Sequence, residues 1–249
     1  MTAFIAGLNR YPFKGMRGIP VKQLAVDIKV GPKGDRVEAI RRRPGDMTQW
    51  AAKANFIVGM NNPAIVTLEP PELRCIGVIE GQLYGHEVRE KLGLGEEKIP
   101  IQQTKGKYHL GDTKGAQVSI LPLPTHRAYE AYMGMTIDVR RWRMNILMDG
   151  LPAFEELSWV DGYEGTRIIR IGDVNMRVDD VAVRCKAPDA NPETGEYDMD
   201  NVTGLTNFMV SNRPDVVSAH HRGARHIMGI YGVVLNNGFL RLGDEIRLL

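Results

Sequence analysis

Apolar positions along this chain come in short runs that alternate with polar ones and are broken by Gly, Pro or Asp. Alternating, β-branched runs bounded by turn formers read as strands. On that pattern strands are expected at Val21–Val30, Val37–Arg41, Ala64–Leu68, Cys75–Ile79, Gln117–Leu121, Met144–Met148, Arg167–Ile171, Val174–Val183 and Glu245–Leu248. Tyr231–Leu235 and Phe239–Leu242 flank Asn236-Asn237-Gly238. Asn-Gly supplies the positive φ angles of a two-residue turn, so this stretch predicts a tight hairpin. Helical spacing is rarer. Asp46 can cap Met47–Ala54, whose Met47, Trp50, Ala51 and Ala54 share a face, and Thr125 can cap Arg127–Met133. His86–Leu92 and Thr203–Val210 are shorter helix candidates.

The pattern predicts a mainly β protein with a few peripheral helices. Many short strands need closed edges, so a barrel-like, two-lobed β-barrel architecture is expected. A boundary is expected around Gly95–Gly106, where apolar patterning lapses and charge rises. It divides the chain into an N-terminal domain, 1–100, and a second domain, 106–249.

Composition narrows the function classes. A chain of 249 residues can bury a core as one domain or two. With 43% hydrophobic and 25% charged residues it falls among globular proteins rather than disordered ones. A net charge of +2 gives no overall basic field, so no nucleic-acid partner is expected. The runs Arg41-Arg42-Arg43 and Arg140-Arg141 do not change that reading. Two cysteines, Cys75 and Cys185, are too few for a disulfide framework, a four-thiolate metal site or an unaided iron–sulfur cluster. The N-terminus lacks the apolar core and cleavage site of a secretory signal, and no apolar run approaches the roughly 18–20 residues of a membrane span. A reducing, cytoplasmic location without a membrane is therefore expected. His220, His221 and His226 do not match a zinc helix motif, and neither a GxGxxG nor a Walker loop is present.

Cys185 carries the most distinctive chemistry. A β-type stretch runs into Arg184-Cys185-Lys186 and then into a turn-rich loop ending in Pro192-Glu193-Thr194-Gly195. A thiol at a strand end beside two cations favours the thiolate, a soft ligand for thiophilic metals. On residue type alone, an ordinary buried cysteine is the commoner reading.

The surrounding residues resemble a known family. Asn145, then Asp149-Gly150-Leu151-Pro152-Ala153-Phe154-Glu155-Glu156 and Ser158-Trp159, are followed by Arg170-Ile171-Gly172, Arg184-Cys185 and Pro192-Glu193-Thr194-Gly195. Gly229-Ile230-Tyr231, Gly238 and Gly243-Asp244 close the series. In this order the elements resemble the MOSC domain, which includes the mitochondrial amidoxime-reducing component and the C-terminal domain of molybdenum cofactor sulfurase. Leu8-Asn9-Arg10-Tyr11-Pro12-Phe13-Lys14-Gly15 and Gly34-Asp35-Arg36 resemble the β-barrel domain that precedes many MOSC domains.

The resemblance implies that Cys185 is a molybdenum ligand and the catalytic cysteine of a molybdenum-cofactor (molybdopterin) oxidoreductase. It implies cofactor contacts from Lys14, Arg36, Thr125, Arg143, Asn145, Arg184 and Tyr231. Arginines supply bidentate donors to phosphate, and lysine a point charge. Without the resemblance, Thr125 reads equally well as a helix cap, Asn145 as satisfying buried backbone groups, and Tyr231 as strand packing. The implied reaction reduces N-hydroxylated small molecules, with electrons from a separate donor protein because no iron–sulfur cluster is expected on this chain. The pyridoxal-phosphate domain of the sulfurases is absent from this sequence, so that cofactor is not expected. A carrier or sulfur-transfer module without turnover, or a degenerate binding module, are the alternatives. Val183, Gly15 and Met16 stand where relatives carry polar residues. If the strand runs on regularly, Arg184 and Cys185 face opposite sides and Val183 shares the cysteine's face.

Overall fold

The computed structural model describes residues 2–40, 56–70, 85–93, 101–103, 110, 117–160, 167–219 and 225–249. Its strands are β1 (Ala3–Arg10), β2 (Phe13–Lys14), β3 (Ile19–Pro20), β4 (Gln23–Asp27), β5 (Gly31–Pro32), β6 (Glu38–Ile40), β7 (Ile101–Gln103), β8 (Val118–Pro122), β9 (Ile146–Asp149), β10 (Ile168–Ile171), β11 (Val174–Val183), β12 (Ile227–Val234), β13 (Gly238–Arg241) and β14 (Glu245–Leu248). The helices are α1 (Gly85–Leu92), α2 (Leu123–Met133), α3 (Asn201–Asn212) and α4 (Pro214–Ala219).

Seven strands close into a barrel in the order β1, β9, β8, β12, β11, β10, β14. The ring is completed where Ala3 pairs with Ile246 and Phe4 with Glu245. Closure leaves no open edge in the ring. All neighbours in it are antiparallel except β8 and β9, whose parallel pairing requires a crossover, and α2 provides it. β3 hangs on the outside of β1. Two small sheets flank the barrel, one of β13, β4 and β5, the other of β2, β6 and β7.

Inward positions build the first core. Ile5, Val118, Ile120, Ile146, Met176 and Ile230 fill the barrel, and Leu24, Val26 and Leu240 cover it from the β4–β13 pair. Outside, α2 and α3 press a second cluster onto the barrel wall. There Tyr129 meets Trp142 edge-on at 6.0 Å between ring centres and Phe208 at 5.2 Å. In the third cluster, Phe13, Met16, Ile65 and Val88 pack with Ala190 from the loop beyond Cys185.

The expected β architecture is present, and Val174–Val183 and Glu245–Leu248 form strands with the boundaries read from the sequence. Three local readings are corrected. Ala64–Leu68 is not a strand but lies in a 3-10 turn, Pro63–Thr67. Pro63 presets the helical φ, and the tight turn buries Ile65 and Val66 side by side. The hairpin over 231–242 does not form. Neither Asn236 nor Asn237 takes a positive φ. Asn236 instead accepts from the Asn175 amide at 2.8 Å and donates to the Asp173 carbonyl at 2.9 Å, while Asn237 accepts from the Ile28 amide at 2.8 Å. Strand β13 therefore turns away from β12 and pairs with β4. Thr125 caps nothing, because α2 starts earlier, directly after Pro122.

Six elements went unread in the sequence, the strands β1, β2, β3, β5 and β7 and the helix α4. Met47–Ala54 and Cys75–Ile79 lie outside the described residues, as does most of Gly95–Gly106. None of the helices, among the described residues, is long and apolar enough to cross a membrane.

Gly229 lies within β12, at φ +88°. There two residues of β12 oppose one of β11, between the pairs Val181–Ile230 and Val183–Ile227. A Cβ at Gly229 would lie 2.4 Å from the Ile120 carbonyl oxygen and 2.5 Å from Met144 Cε. Gly229→Ala should lower unfolding stability in urea by about 2–4 kcal/mol, from overpacking and positive-φ strain together. At Gly232 a Cβ would meet only ordinary contacts, 3.5 Å or more away. Gly232→Ala should therefore stay within about 1 kcal/mol of wild type.

Candidate functional site

Tyr11 follows β1 directly, and arginines from distant parts of the chain gather around its ring. The guanidinium of Arg143 lies 4.6 Å from the ring centre and that of Arg36 5.2 Å. Arg184 lies 5.9 Å from the neighbouring Trp142 ring and donates to the Trp142 carbonyl oxygen. The Tyr11 hydroxyl donates to the Met144 carbonyl at 3.4 Å. Burial pushes this phenol above its ordinary pKa, while Arg143, Arg36 and Arg184 pull it down. Cations stacked on an aromatic face are attracted by its quadrupole, which lets like charges sit close together.

Both stacking arginines hold left-handed backbone, Arg36 at φ +46° and Arg143 at φ +55°. Arg143 leaves the 3-10 turn Val139–Trp142 as its C-cap, and Arg36 follows the turn at Gly34. Left-handed conformation costs a non-glycine residue on the order of 1 kcal/mol, and residues that keep it tend to cluster at functional sites.

Asn145 organises the group from below. It is fully buried. Its Oδ1 accepts from Ser119 Oγ at 2.9 Å, the Ser119 amide at 3.2 Å and Arg36 at 3.3 Å. Its Nδ2 donates to the buried carboxylate of Asp35 at 3.0 Å and to the Asn9 carbonyl at 3.2 Å. Asp35 also accepts from the Tyr11 amide at 2.7 Å and from Arg36. One amide thus ties β8, β1 and the 35–36 turn together.

Cys185 lies half-buried just past β11. The strand ends at Val183, after its register has shifted opposite Gly229, so face alternation does not govern Arg184 and Cys185. The Arg184 amide donates to the His226 carbonyl at 2.9 Å. A 3-10 turn, Ala187–Asp189, then carries the chain into a cleft of about 280 Å³. Tyr11, Arg17, Arg140, Arg141 and Arg143 line this cleft, facing Pro192 of the Cys185 loop. Arg141 is buried; it pairs with Asp198 at 2.8 Å and donates to the Asp189 carbonyl at 3.2 Å. Its buried Nε has no hydrogen-bond partner, nor has that of Arg17 or of Arg184.

Arg36, Arg143, Asn145 and Arg184 are therefore brought together. Lys14, Tyr231 and Thr125 make contacts of their own. Lys14 is buried, donates to the Leu110 carbonyl at 2.7 Å and lies 5.8 Å from the Phe56 ring centre. Tyr231 pairs with Ser119 in the ladder and packs at the margin of the α2–α3 cluster. The Thr125 hydroxyl donates to the Glu156 carboxylate at 2.9 Å and accepts from the Phe154 amide at 2.8 Å. His226 is described, whereas His220 and His221 fall outside the described residues. No group of three or more His, Cys, Asp or Glu that could hold a metal occurs among the described residues. Sequence reading gave no site role to Arg17, or to Tyr11 and Asp35 within the family-like segments, and set aside the Arg140-Arg141 run. The alternation of basic and aromatic residues in Arg10-Tyr11 and Arg140-Arg141-Trp142-Arg143 was the available signal.

Burial drives Glu156 up to about 7, against the opposing Thr125 hydrogen bond. Its acid form is favoured in the fold, so its contribution is complete below the ordinary value of 4.5 and is lost as pH rises through about 7. Glu156→Gln should match wild type near pH 4.5 and exceed it by on the order of 3 kcal/mol at pH 8, read from unfolding midpoints across pH. Asn145→Asp sets a second carboxylate against Asp35 and removes two donors. It should lower stability by about 3 kcal/mol in the same assay.

Residues 105–247 match the family described as MOSC domain. Molybdenum cofactor sulfurase of Drosophila mojavensis is 29% identical over 143 residues, covering 53% of this chain and 17% of the relative. This chain thus matches less than a fifth of that relative's length. Among solved structures, the YuaD protein of Bacillus subtilis aligns over 100% of this chain and 96% of its own, with TM-score 0.46 and 16% identity. YiiM of Geobacillus stearothermophilus aligns over 55% of each chain, with TM-score 0.34 and 15% identity. On the family match, which spans more than half of its length, this chain belongs to the MOSC domain family.

Proposed function

We propose that the chain holds a molybdenum–pterin cofactor, with the Cys185 thiolate as its one protein ligand to the metal, and acts as an oxidoreductase on N-hydroxylated small molecules. The observation that carries this reading is the cluster of Arg36, Arg143 and Arg184 on the rings of Tyr11 and Trp142, with the half-buried Cys185 next to Arg184 in the chain. The donor set fits such a group. A single thiolate suits a soft metal whose remaining ligands arrive with it, as pterin dithiolene sulfurs do. Arg36, Arg143 and Arg184 suit a phosphate-bearing pterin, whose dianion offsets their mutual repulsion.

The bound group would supply two-electron transfer, and the chain's part is to hold and orient it. The Arg184 amide bond to His226 fixes the approach of the Cys185 thiol. Asn145 and Asp35 hold Arg36 in place before any ligand enters, so little ordering remains at binding. Lys14, Thr125 and Tyr231 complete the proposed set, Thr125 through the hydrogen bonds that anchor α2. A separate protein would donate electrons. The resemblance to a molybdenum cofactor sulfurase favours one second reading, a carrier that binds the cofactor without turnover.

Protein from a cofactor-competent host should contain molybdenum and pterin in near-equal amounts to the chain. Cys185→Ala should lose most of the metal, and Arg143→Ala should lose pterin and metal together, as read by elemental analysis and pterin fluorescence. Wild-type protein without metal or pterin, while a control molybdoenzyme from the same host is loaded, would overturn the proposal. Loaded protein that reduces an N-hydroxylated base with an artificial donor supports the enzyme. Loaded protein that does not, but reconstitutes an apo-molybdoenzyme, supports the carrier.

A further inference from the structure

Glu193 bridges two arginines that line the cleft. One carboxylate oxygen accepts from Arg140 Nη1 at 2.6 Å and the other from Arg17 Nη2 at 3.0 Å. Arg140 pulls this carboxyl below its ordinary pKa, with Arg17 adding to the effect. The Glu193 side chain is nevertheless 58% exposed.

Both arginines are also anchored without Glu193. Arg140 is held through Nε and Nη2 by Asp138, at 2.9 and 2.5 Å. Arg17 donates to Glu69 and to the Pro192 carbonyl, each at 2.9 Å. Arg140 Nη1 and Arg17 Nη2 therefore point at one gap, and Glu193 is the acceptor within it. The loop that carries Glu193 is fixed by Asn191, whose Oδ1 accepts from the Glu193 amide at 2.8 Å and whose carbonyl accepts from the Gly195 amide at 2.9 Å. The carboxylate is thus delivered by a turn whose backbone bonds need nothing from the side chain. Behind the gap the buried Arg141 lines the same cleft with its Nε unpartnered.

We propose that the Arg17–Arg140 gap binds the phosphate of a small molecule separate from anything held at Cys185, and that Glu193 is the built-in occupant this ligand displaces. A phosphate carries more charge and more acceptor oxygens than a carboxylate, so two guanidiniums favour it. An exposed ion pair is held weakly, so Glu193 yields without disturbing the fold. A cleft of about 280 Å³ suits a small ligand. Nothing in this assignment requires the cofactor reading, since Cys185 takes no part in it.

The test is calorimetric titration of the full chain with inorganic phosphate at low ionic strength, in its cofactor-loaded form and as purified from a host that makes no cofactor. Both forms should bind one phosphate with similar affinity. Glu193→Gln should bind it about three- to fivefold more tightly, and Arg17→Gln or Arg140→Gln about tenfold more weakly. Glu196→Gln, which removes the same charge from the same loop, should match wild type. Equal tightening by Glu196→Gln would mean a general charge effect and overturn the displacement. Phosphate binding by the cofactor-free form but not by the loaded form would mean that the cofactor's own phosphate fills the gap, and would overturn a separate ligand. No phosphate binding by either form would overturn the site itself, whatever the metal analysis shows.

Discussion

The buried amide of Asn145 has a donor or acceptor opposite every hydrogen-bonding position it owns, and the arginine cluster depends on that saturation. A buried polar group stabilises only when its partners are complete. Here the partners are the wall of the barrel, through Ser119 and Asn9, and the turn that carries Asp35 and Arg36. The amide transmits the rigidity of closed strands to side chains that lie outside them. Without it, Asp35 would lose a donor and Arg36 one of the contacts that aim it.

Charge explains why such bracing is needed. Arg36, Arg143 and Arg184 are near enough to act together on one phenol, and nothing in their mutual interaction favours assembly. They are held by carbonyl oxygens, by Asp35 and by the faces of Tyr11 and Trp142. Two of them also hold left-handed backbone. A surface selected only for stability would relax that arrangement, which is why the strained pair marks the site more sharply than any single side chain.

Sequence pattern carried much of the fold and part of the site. Val174–Val183 was legible because β-branched residues bounded by turns leave one interpretation. Strand β1 was not, because its pairing with β9 slips between Ile5 and Gly7 and breaks the two-residue period. Asn236-Asn237-Gly238 misled because local turn preference lost to side-chain bonds with residues 173, 175 and 28, contacts that no local window contains. At the site, the family-like segments singled out Arg36, Arg143, Asn145 and Arg184. Arg17 and Glu193 were invisible as a pair, because 176 positions separate them and only the folded chain brings them together.

The β1–β14 seam joins residue 3 to residue 246. Closing so long a loop carries a large entropic cost that no nearby contact shares, and topologies dominated by such pairings fold slowly. The ring cannot be completed before its last strand is available. Until then β1 and β10 present unpaired edges to other chains, so the stage most exposed to misassembly precedes the formation of that seam.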